Sequence, residues 1–395
     1  MQCDLAIVGG GLVGASLACA LDRQNIRVVL IDKINVLPRP LPLESRALAL
    51  SWSTIQCLKA LTIWPRVEAI ATSLRQIHVS KRGYFGFTTL KAAENQLPSL
   101  GSVVDAAEFN HILNETLTTV SNLTIFRPDE ILQFDYQESG WTLQLKSQQT
   151  VSCRLLVAAD GAGSVVRQHQ GIEVIKNDHR QTAIVANLEL DQAHEDQAFE
   201  RFTKEGSIAM LPFGREGNRV KSVWAVPTEK SRMLAETADS EFLALLQANF
   251  GYHLGRFRSV GKRDYYPLCT QSAQSIYDHR LVLVGNAANT LHPIAAQGFN
   301  LGLRDVATLA EQVVLAIQSG EDIGSIEVLR AYANARIQDH QTIRQLTAQL
   351  AKPKLLQWFG IMACQGLRPV KRWIMEKGLG RGENLPKLCR GVRLN

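Results

Sequence analysis

Short runs of consecutive apolar residues punctuate an otherwise mixed chain. Residues 4–8 (DLAIV), 28–31 (VVLI), 155–159 (LLVAA) and 281–284 (LVLV) lack the alternation of a half-buried strand. Runs of this kind are expected of parallel strands buried on both faces. Helical periodicity over residues 13–24 joins the first two runs into a βαβ unit of about 30 residues. Residues 37–43 (LPRPLPL) carry prolines that exclude regular structure, and helical patterning resumes over 47–61. Further on, residues 75–91 read as strands turning near Gly83, residues 106–120 as an amphipathic helix, and residues 123–157 as several short strands. Residues 182–190 and 199–226 alternate apolar and polar positions between turn glycines, as an antiparallel sheet does. Helices are expected over 239–250 and 298–319, and mostly helix thereafter.

The βαβ material therefore recurs near 1–60, 100–165 and 280–320, with a sheet-rich block between. The expected fold is α/β: a Rossmann-like nucleotide-binding domain assembled from separated segments, an inserted mixed or antiparallel-sheet domain, and a helical C-terminus. The boundaries expected are 1–74, 100–180 and 270–345 for the first domain, 75–99 and 181–269 for the second, and 346–395 for the helical basic segment.

Composition narrows the class. Of 395 residues, 46% are hydrophobic and 20% charged, as in globular proteins. The seven cysteines are scattered and no C-x-x-C pair occurs, so neither a disulfide framework nor a zinc site is expected, and the setting is expected to be reducing and cytoplasmic. No histidine spacing suggests a metal site. The N-terminus lacks the marks of a signal peptide, and no apolar run reaches the roughly 18–20 residues of a membrane span. The net charge of +6 is uneven: residues 352–395 carry ten Lys/Arg against two Asp/Glu, leaving the rest at −2. That argues against a nucleic-acid enzyme and for a basic tail able to meet anionic lipid or an acidic partner.

Three segments carry chemistry. The first is Gly9-x-Gly11-x-x-Gly14, after one strand and opening a helix. There Gly9 permits the turn, Gly11 lets a pyrophosphate approach, and Gly14 lets the helix pack on the sheet. Asp32, at the end of the second strand, is placed to accept bonds from ribose hydroxyls. The second is Asp160-Gly161 with Ser164 and Arg167 at helical spacing, which alone reads equally as a turn. The third is 285–305, GNAANTLHPIAAQGFNLGLRD, where Gly285, Gly298 and Gly302 allow close approach and Pro293 fixes a bend. The amides around Gly298–Asn300 would head a helix whose positive end can stabilise an anionic ring.

In this order and spacing the segments resemble the group A flavoprotein hydroxylases. Together with FERF at 199–202 and AMLPF at 209–213 they look most like the 2-polyprenyl-6-methoxyphenol hydroxylases of ubiquinone biosynthesis. The resemblance runs to about residue 345. It implies a glutathione-reductase-type FAD-binding domain, with Gly9, Gly11, Gly14 and Asp32 on the ADP half of FAD. Asp160 and Gly161 would touch FAD and could also meet the nicotinamide donor, and Gly285, Asn286, Pro293, Gly298 and Asn300 would hold the ribityl chain and flavin. Arg46 would lie near the pyrophosphate, the alternative being a solvated helix-start arginine. Asn286 stands where the family has Asp, Asn289 where many relatives carry His or Gln, and Ala296 where Gly is usual.

The resemblance also implies NAD(P)H as a transient donor, since only one dinucleotide fingerprint is present. It implies a prenylated phenol and O2 as substrates, and hydroxylation through a flavin C4a-hydroperoxide in a site that Met210–Phe213 and Trp224 would wall off from water. His292, beside the third segment, is a candidate to orient a phenol or relay its proton, against the more ordinary structural role of a single histidine. Another phenol or ring position, or a flavin-dependent reductase or cyclase on an isoprenoid, is the alternative. Residues 352–395 could rest on the inner membrane surface, join a ubiquinone-biosynthesis complex, or cap the fold.

Overall fold

The apolar runs assemble into one sheet in the order Tyr277–Asp278, Leu281–Leu283, Leu155–Ala158, Leu5–Val8, Val28–Ile31, Leu123–Phe126. All neighbours are parallel except the edge pair Tyr277–Asp278 and Leu281–Leu283. The computed structural model describes residues 1–35, 47–292, 297–351, 368–382 and 385–394. The runs are continuously apolar because both faces are covered. Leu5 and Ile7 face a helical layer with Leu17, Phe109 and Val306. Ala6 and Val8 face a three-stranded antiparallel meander through Trp141, Leu143 and Val151. Each fully buried Leu or Val there contributes about 1.5–3 kcal/mol.

Numbered along the chain, the parallel strands lie in the order 3-2-1-4-5, so the winding reverses between Leu5–Val8 and Leu155–Ala158. A crevice opens at such a reversal, beyond the carboxyl ends of the strands. The turns carrying Gly9 and Asp160 both leave the sheet there.

The reading of 47–61 as one helix needs correction. Ala47–Ser51 is a strand, pairing antiparallel with Gly101–Asp105, and only Trp52–Ala60 is helical. Partner strands override local helical preference here. Ser51 then caps the helix, its Oγ accepting from the Thr54 amide at 3.4 Å.

The nine-stranded sheet gathers distant segments: Gln76–Lys81 and Phe87–Lys91, then Val174–Leu190, Gln197–Phe202, Ser207–Phe213 and Arg219–Pro227, then Phe257–Val260, Asp264–Ala273 and Asn289–Thr290. The boundary expected at 180 falls inside the strand Val174–Leu190, whose first half pairs with Asp264–Ala273. Strand alternation splits the sheet into two faces. Ile184, Ile208, Met210, Val220 and Trp224 point toward the helices Thr228–Glu236 and Asp239–Phe250, where Phe242 and Leu246 bury them. Val79, Ala209, Leu211, Phe213, Val223 and Tyr266 point the other way and are only half-buried. Met210 and Trp224 are therefore core residues under the helices rather than the wall expected of them, and Leu211 and Phe213 occupy the opposite face.

The helix Ile326–Ala351 packs on Gly298–Ser319, and the Tyr332 hydroxyl donates to the Leu283 carbonyl at 3.0 Å. Arg368–Leu379 places Met375 and Leu379 against Leu74, Leu100 and Ala198, as a cap does. Residues 352–367, 383, 384 and 395 of the basic segment lie outside the described residues. Among the described residues no helix is long and apolar enough to cross a membrane.

Candidate functional site

Gly9 has φ +102°, and a Cβ there would sit 2.6 Å from the Ala159 carbonyl oxygen. The two turns at the reversal point thus touch, and only glycine fits between them. A Cβ at Gly14 would run into the Gly9 carbonyl, which sets how closely the helix Leu12–Ala20 approaches the turn. Gly11 differs: a Cβ there would meet nothing within 4 Å. Its open side lies at the N-terminus of that helix, where unpaired amides and the helix dipole favour an anion. Gly161, at φ +86°, and Gly298 face open space in the same way.

Asp32 lies at the end of Val28–Ile31 with one oxygen 3.3 Å from the Arg127 guanidinium. Arg127 also donates to the Gly10 carbonyl at 3.0 Å and to Asn114. Its Nε is buried with no hydrogen-bond partner, a donor held for a group the protein itself does not supply. Arg127 escaped the sequence reading. Its only local signal is an Arg-Pro step closing the strand Leu123–Phe126 on the outer edge of the fingerprint unit.

Asp160 reaches the first turn of the helix Val165–His169, which Ser164 caps, one oxygen accepting from the Val165 amide at 2.8 Å while the other is buried and unpartnered. Arg167, nearly fully buried, donates to the carbonyls of Ala162 and Ala287 at 2.9 and 2.8 Å and so ties the second segment to the third.

Gly285, at φ +59°, lies against Val13 of the first helix, as does Gly302, whose Cβ position is 3.1 Å from the Gly285 Cα. The Gly285 amide donates to Asp305 at 3.0 Å. Asp305 anchors a buried charge cluster, its other oxygen 2.7 Å from Arg336 and 2.6 Å from His340. Asp339 continues it, 2.7 Å from both Arg304 and Arg336. Burial alone would raise the Asp305 carboxyl, but His340 and Arg336 hold it below the usual range. His340 also meets Asn289 at 2.9 Å. Asn289, one of the three departures from the family pattern, is therefore paired to the helix Ile326–Ala351. Nothing local in the sequence marks Arg336 or His340 as parts of a site.

Other expectations fare unevenly. The buried Asn300 side chain serves structure: its oxygen accepts from the Ser51 amide at 2.9 Å and Thr54 Oγ1 at 2.7 Å, and its amide donates to the Ala49 carbonyl. Asn286 is exposed beside the cradle. His292 is buried edge-to-face on His179, ring centroids 4.9 Å apart. Burial, then His179, pushes it down to about 4, so at neutral pH it is an uncharged imidazole and no cationic acid. Arg46, Pro293 and Ala296 lie outside the described residues.

The open face of the large sheet adjoins this loop, since Asn289–Thr290 is its edge strand. Of the ionisable groups on that face, two have equilibria drawn toward neutrality. Burial pushes Glu200 up to about 7 against a bond from Ser207, and its Oε1 is enclosed without a partner. Burial pushes Lys221 down to about 8 against Asp105 and Asp264, and its ammonium lies 5.2 Å from the Phe213 ring centroid. Neither was singled out in the sequence. Among the described residues no cluster of His, Cys, Asp and Glu could hold a metal.

The residues present fit FAD: a dinucleotide-binding turn, an acid beyond the second strand, and open glycines at three points of one crevice. The family model described as FAD binding domain matches residues 2–346. The ubiquinone hydroxylase UbiL of Rhodospirillum rubrum is 35% identical over 99% of this chain and 93% of its own length. The 3-demethoxyubiquinol 3-hydroxylase of Escherichia coli is 28% identical over 95% and 98%. Among solved structures, p-nitrophenol 4-monooxygenase PnpA of Pseudomonas putida superimposes with a TM-score of 0.77 at 19% identity, over 97% of this chain and all of that one. The chain belongs to the FAD binding domain family and is an FAD-dependent aromatic hydroxylase of the ubiquinone hydroxylase group.

Proposed function

We propose that this chain hydroxylates the ring of a polyprenylated methoxyphenol on the route to ubiquinone. The observation that carries the reading is the open sheet face beside the flavin loop. Its half-buried apolar side chains, Val79, Ala209 and Val223 among them, would offer a prenylated ring an apolar floor, and the comparisons supply a ubiquinone hydroxylase aligned over nearly the whole chain.

The helix headed by Gly11 would hold the pyrophosphate, Asp32 with Arg127 the ribose side, and Gly161, Gly285, Asn286 and Gly298 the flavin end. Bound FAD would accept hydride from a nicotinamide donor and activate dioxygen. The chain's own work is to exclude water and orient the phenol. Val79, Ala209, Leu211 and Val223 supply a dry floor, without which oxygen chemistry is diverted to hydrogen peroxide. Glu200 holds a proton near neutral pH on that floor, within an apolar surround suited to pairing a phenolic hydroxyl. His292, uncharged, is placed to position the loop through His179 rather than to donate a proton.

Deleting the gene is expected to make a prenylated methoxyphenol accumulate. The purified yellow protein is expected to consume one O2 for each ring hydroxylated, with NADH or NADPH supplied. Unchanged quinone precursors, or donor oxidation without any hydroxylated product, would sink the reading.

A further inference from the structure

At one end of the large sheet the hairpin between Gln76–Lys81 and Phe87–Lys91 turns through Gly83 and Gly86, with φ of +77° and +99°. Between and after those glycines stand Tyr84, Phe85 and Phe87, exposed by 43%, 90% and 51%. Clustered large aromatics on an outer turn signify a contact surface, because exposing them to water is costly. The cluster is anchored to the sheet: Phe87 lies tilted against His78 with ring centroids 4.9 Å apart, and Arg82 donates to Asn249 at 2.6 Å.

Charge identifies the occupant. Arg82 and Lys204 are exposed at this end, and Arg201 is half-buried close enough to Arg82 for the two cations to repel. The acid on the neighbouring turn, Glu205, is already paired with Lys230. A turn with aromatic tips and a basic rim matches the interface of an anionic bilayer, where aromatic rings settle at headgroup depth and each nearby Lys or Arg adds attraction. The position also suits a lipid-tailed substrate. Gln76–Lys81 carries Val79 on the open face, two residues before the strand ends at the hairpin.

We infer that the 82–87 turn is a membrane-docking tip that seats this end of the sheet on an anionic bilayer, so that a prenylated phenol enters the open face from the lipid. The inference rests on the function proposed above and adds the place of contact. It is separate from residues 352–395.

The test uses the FAD-loaded full-length protein and vesicles of phosphatidylglycerol with phosphatidylethanolamine, compared with phosphatidylcholine alone. The double variant Phe85→Ser/Phe87→Ser is expected to lower partitioning onto anionic vesicles by about tenfold or more. Arg82→Glu/Lys204→Glu is expected to do the same while leaving weak binding to phosphatidylcholine unchanged. Both sites are exposed, and FAD content checks folding. With Phe85→Trp, brominated lipid is expected to quench more fluorescence than in the parent protein. Both double variants should still hydroxylate a short-tailed, water-soluble phenol and fail only with substrate delivered in vesicles. Parent-like partitioning by both variants, no added quenching at position 85, or loss of the tip's effect unless a partner protein is present would each overturn the docking tip. The soluble-phenol assay would still report on the hydroxylase reading itself.

Discussion

The two faces of the nine-stranded sheet are built from the same strands and have opposite characters. Trp224 and Val223 are neighbours in sequence, yet Trp224 is sealed beneath Phe242 while Val223 is half-exposed on the other side. The helix-covered face is apolar and closed. The opposite face is only partly covered, with Val79, Ala209 and Val223 half-buried, and carries Glu200 and Lys221, both with protonation equilibria drawn toward neutrality. A sheet stabilised by one face alone can leave the other under-packed, and under-packed apolar surface with a few ionisable groups is what a substrate requires.

Substitutions can break that contrast. Trp224→Ala is expected to cost about 3–5 kcal/mol in urea denaturation, because a large cavity opens in a sealed core. Val223→Ala, one residue away, is expected to cost about 1 kcal/mol or less and to change instead the fraction of O2 consumption that yields hydroxylated product. Equal losses of stability would remove the distinction between the faces. Asp305→Asn should cost about 3 kcal/mol, since it leaves Arg336 buried without its full counter-charge. It should also release flavin, read as lost absorbance after gel filtration.

The nucleotide turn offers a parallel pair. Gly11→Val projects into open space, so the apoprotein should melt within a few degrees of the parent yet retain no FAD. Gly14→Val collides with backbone and should not give folded protein. Stoichiometric flavin in Gly11→Val would contradict the placement of the pyrophosphate. The smallest effect concerns pH. A carboxyl raised from 4.5 to about 7 keeps its proton in the native state after the unfolded chain has lost it. Stability should therefore fall as pH rises from about 4.5 to 7 and then level off, and Glu200→Gln should flatten that slope.

The parallel strands and the Gly298–Ser319 helix were legible because continuous apolar runs and long amphipathic periods are local patterns. The glycine turns were legible because spacing and order carried their meaning. Ala47–Ser51 misled because its strand state depends on a partner 54 residues away at Gly101–Asp105. The orientation of Met210 and Trp224 depended on which face the helices Thr228–Glu236 and Asp239–Phe250 would cover, a choice that alternation cannot make. Arg127, Arg336, His340 and Glu200 belong to the site through tertiary neighbours alone. Each lies in a stretch whose own chemistry is unremarkable.

The Asp305 cluster has a consequence for how the protein is made. The Gly285 turn is braced from behind by Arg336 and His340, and the strand Leu281–Leu283 is a late arrival in a sheet begun by Leu5–Val8. A nascent chain still on the ribosome thus exposes a ready phosphate turn long before it owns the brace that closes the other end of the crevice. Loading with flavin is therefore expected only once the chain has passed residue 340, which pulse-labelled ribosome-bound chains of increasing length would test. A chain truncated before residue 336 would keep the fingerprint in its sequence and lose the grip.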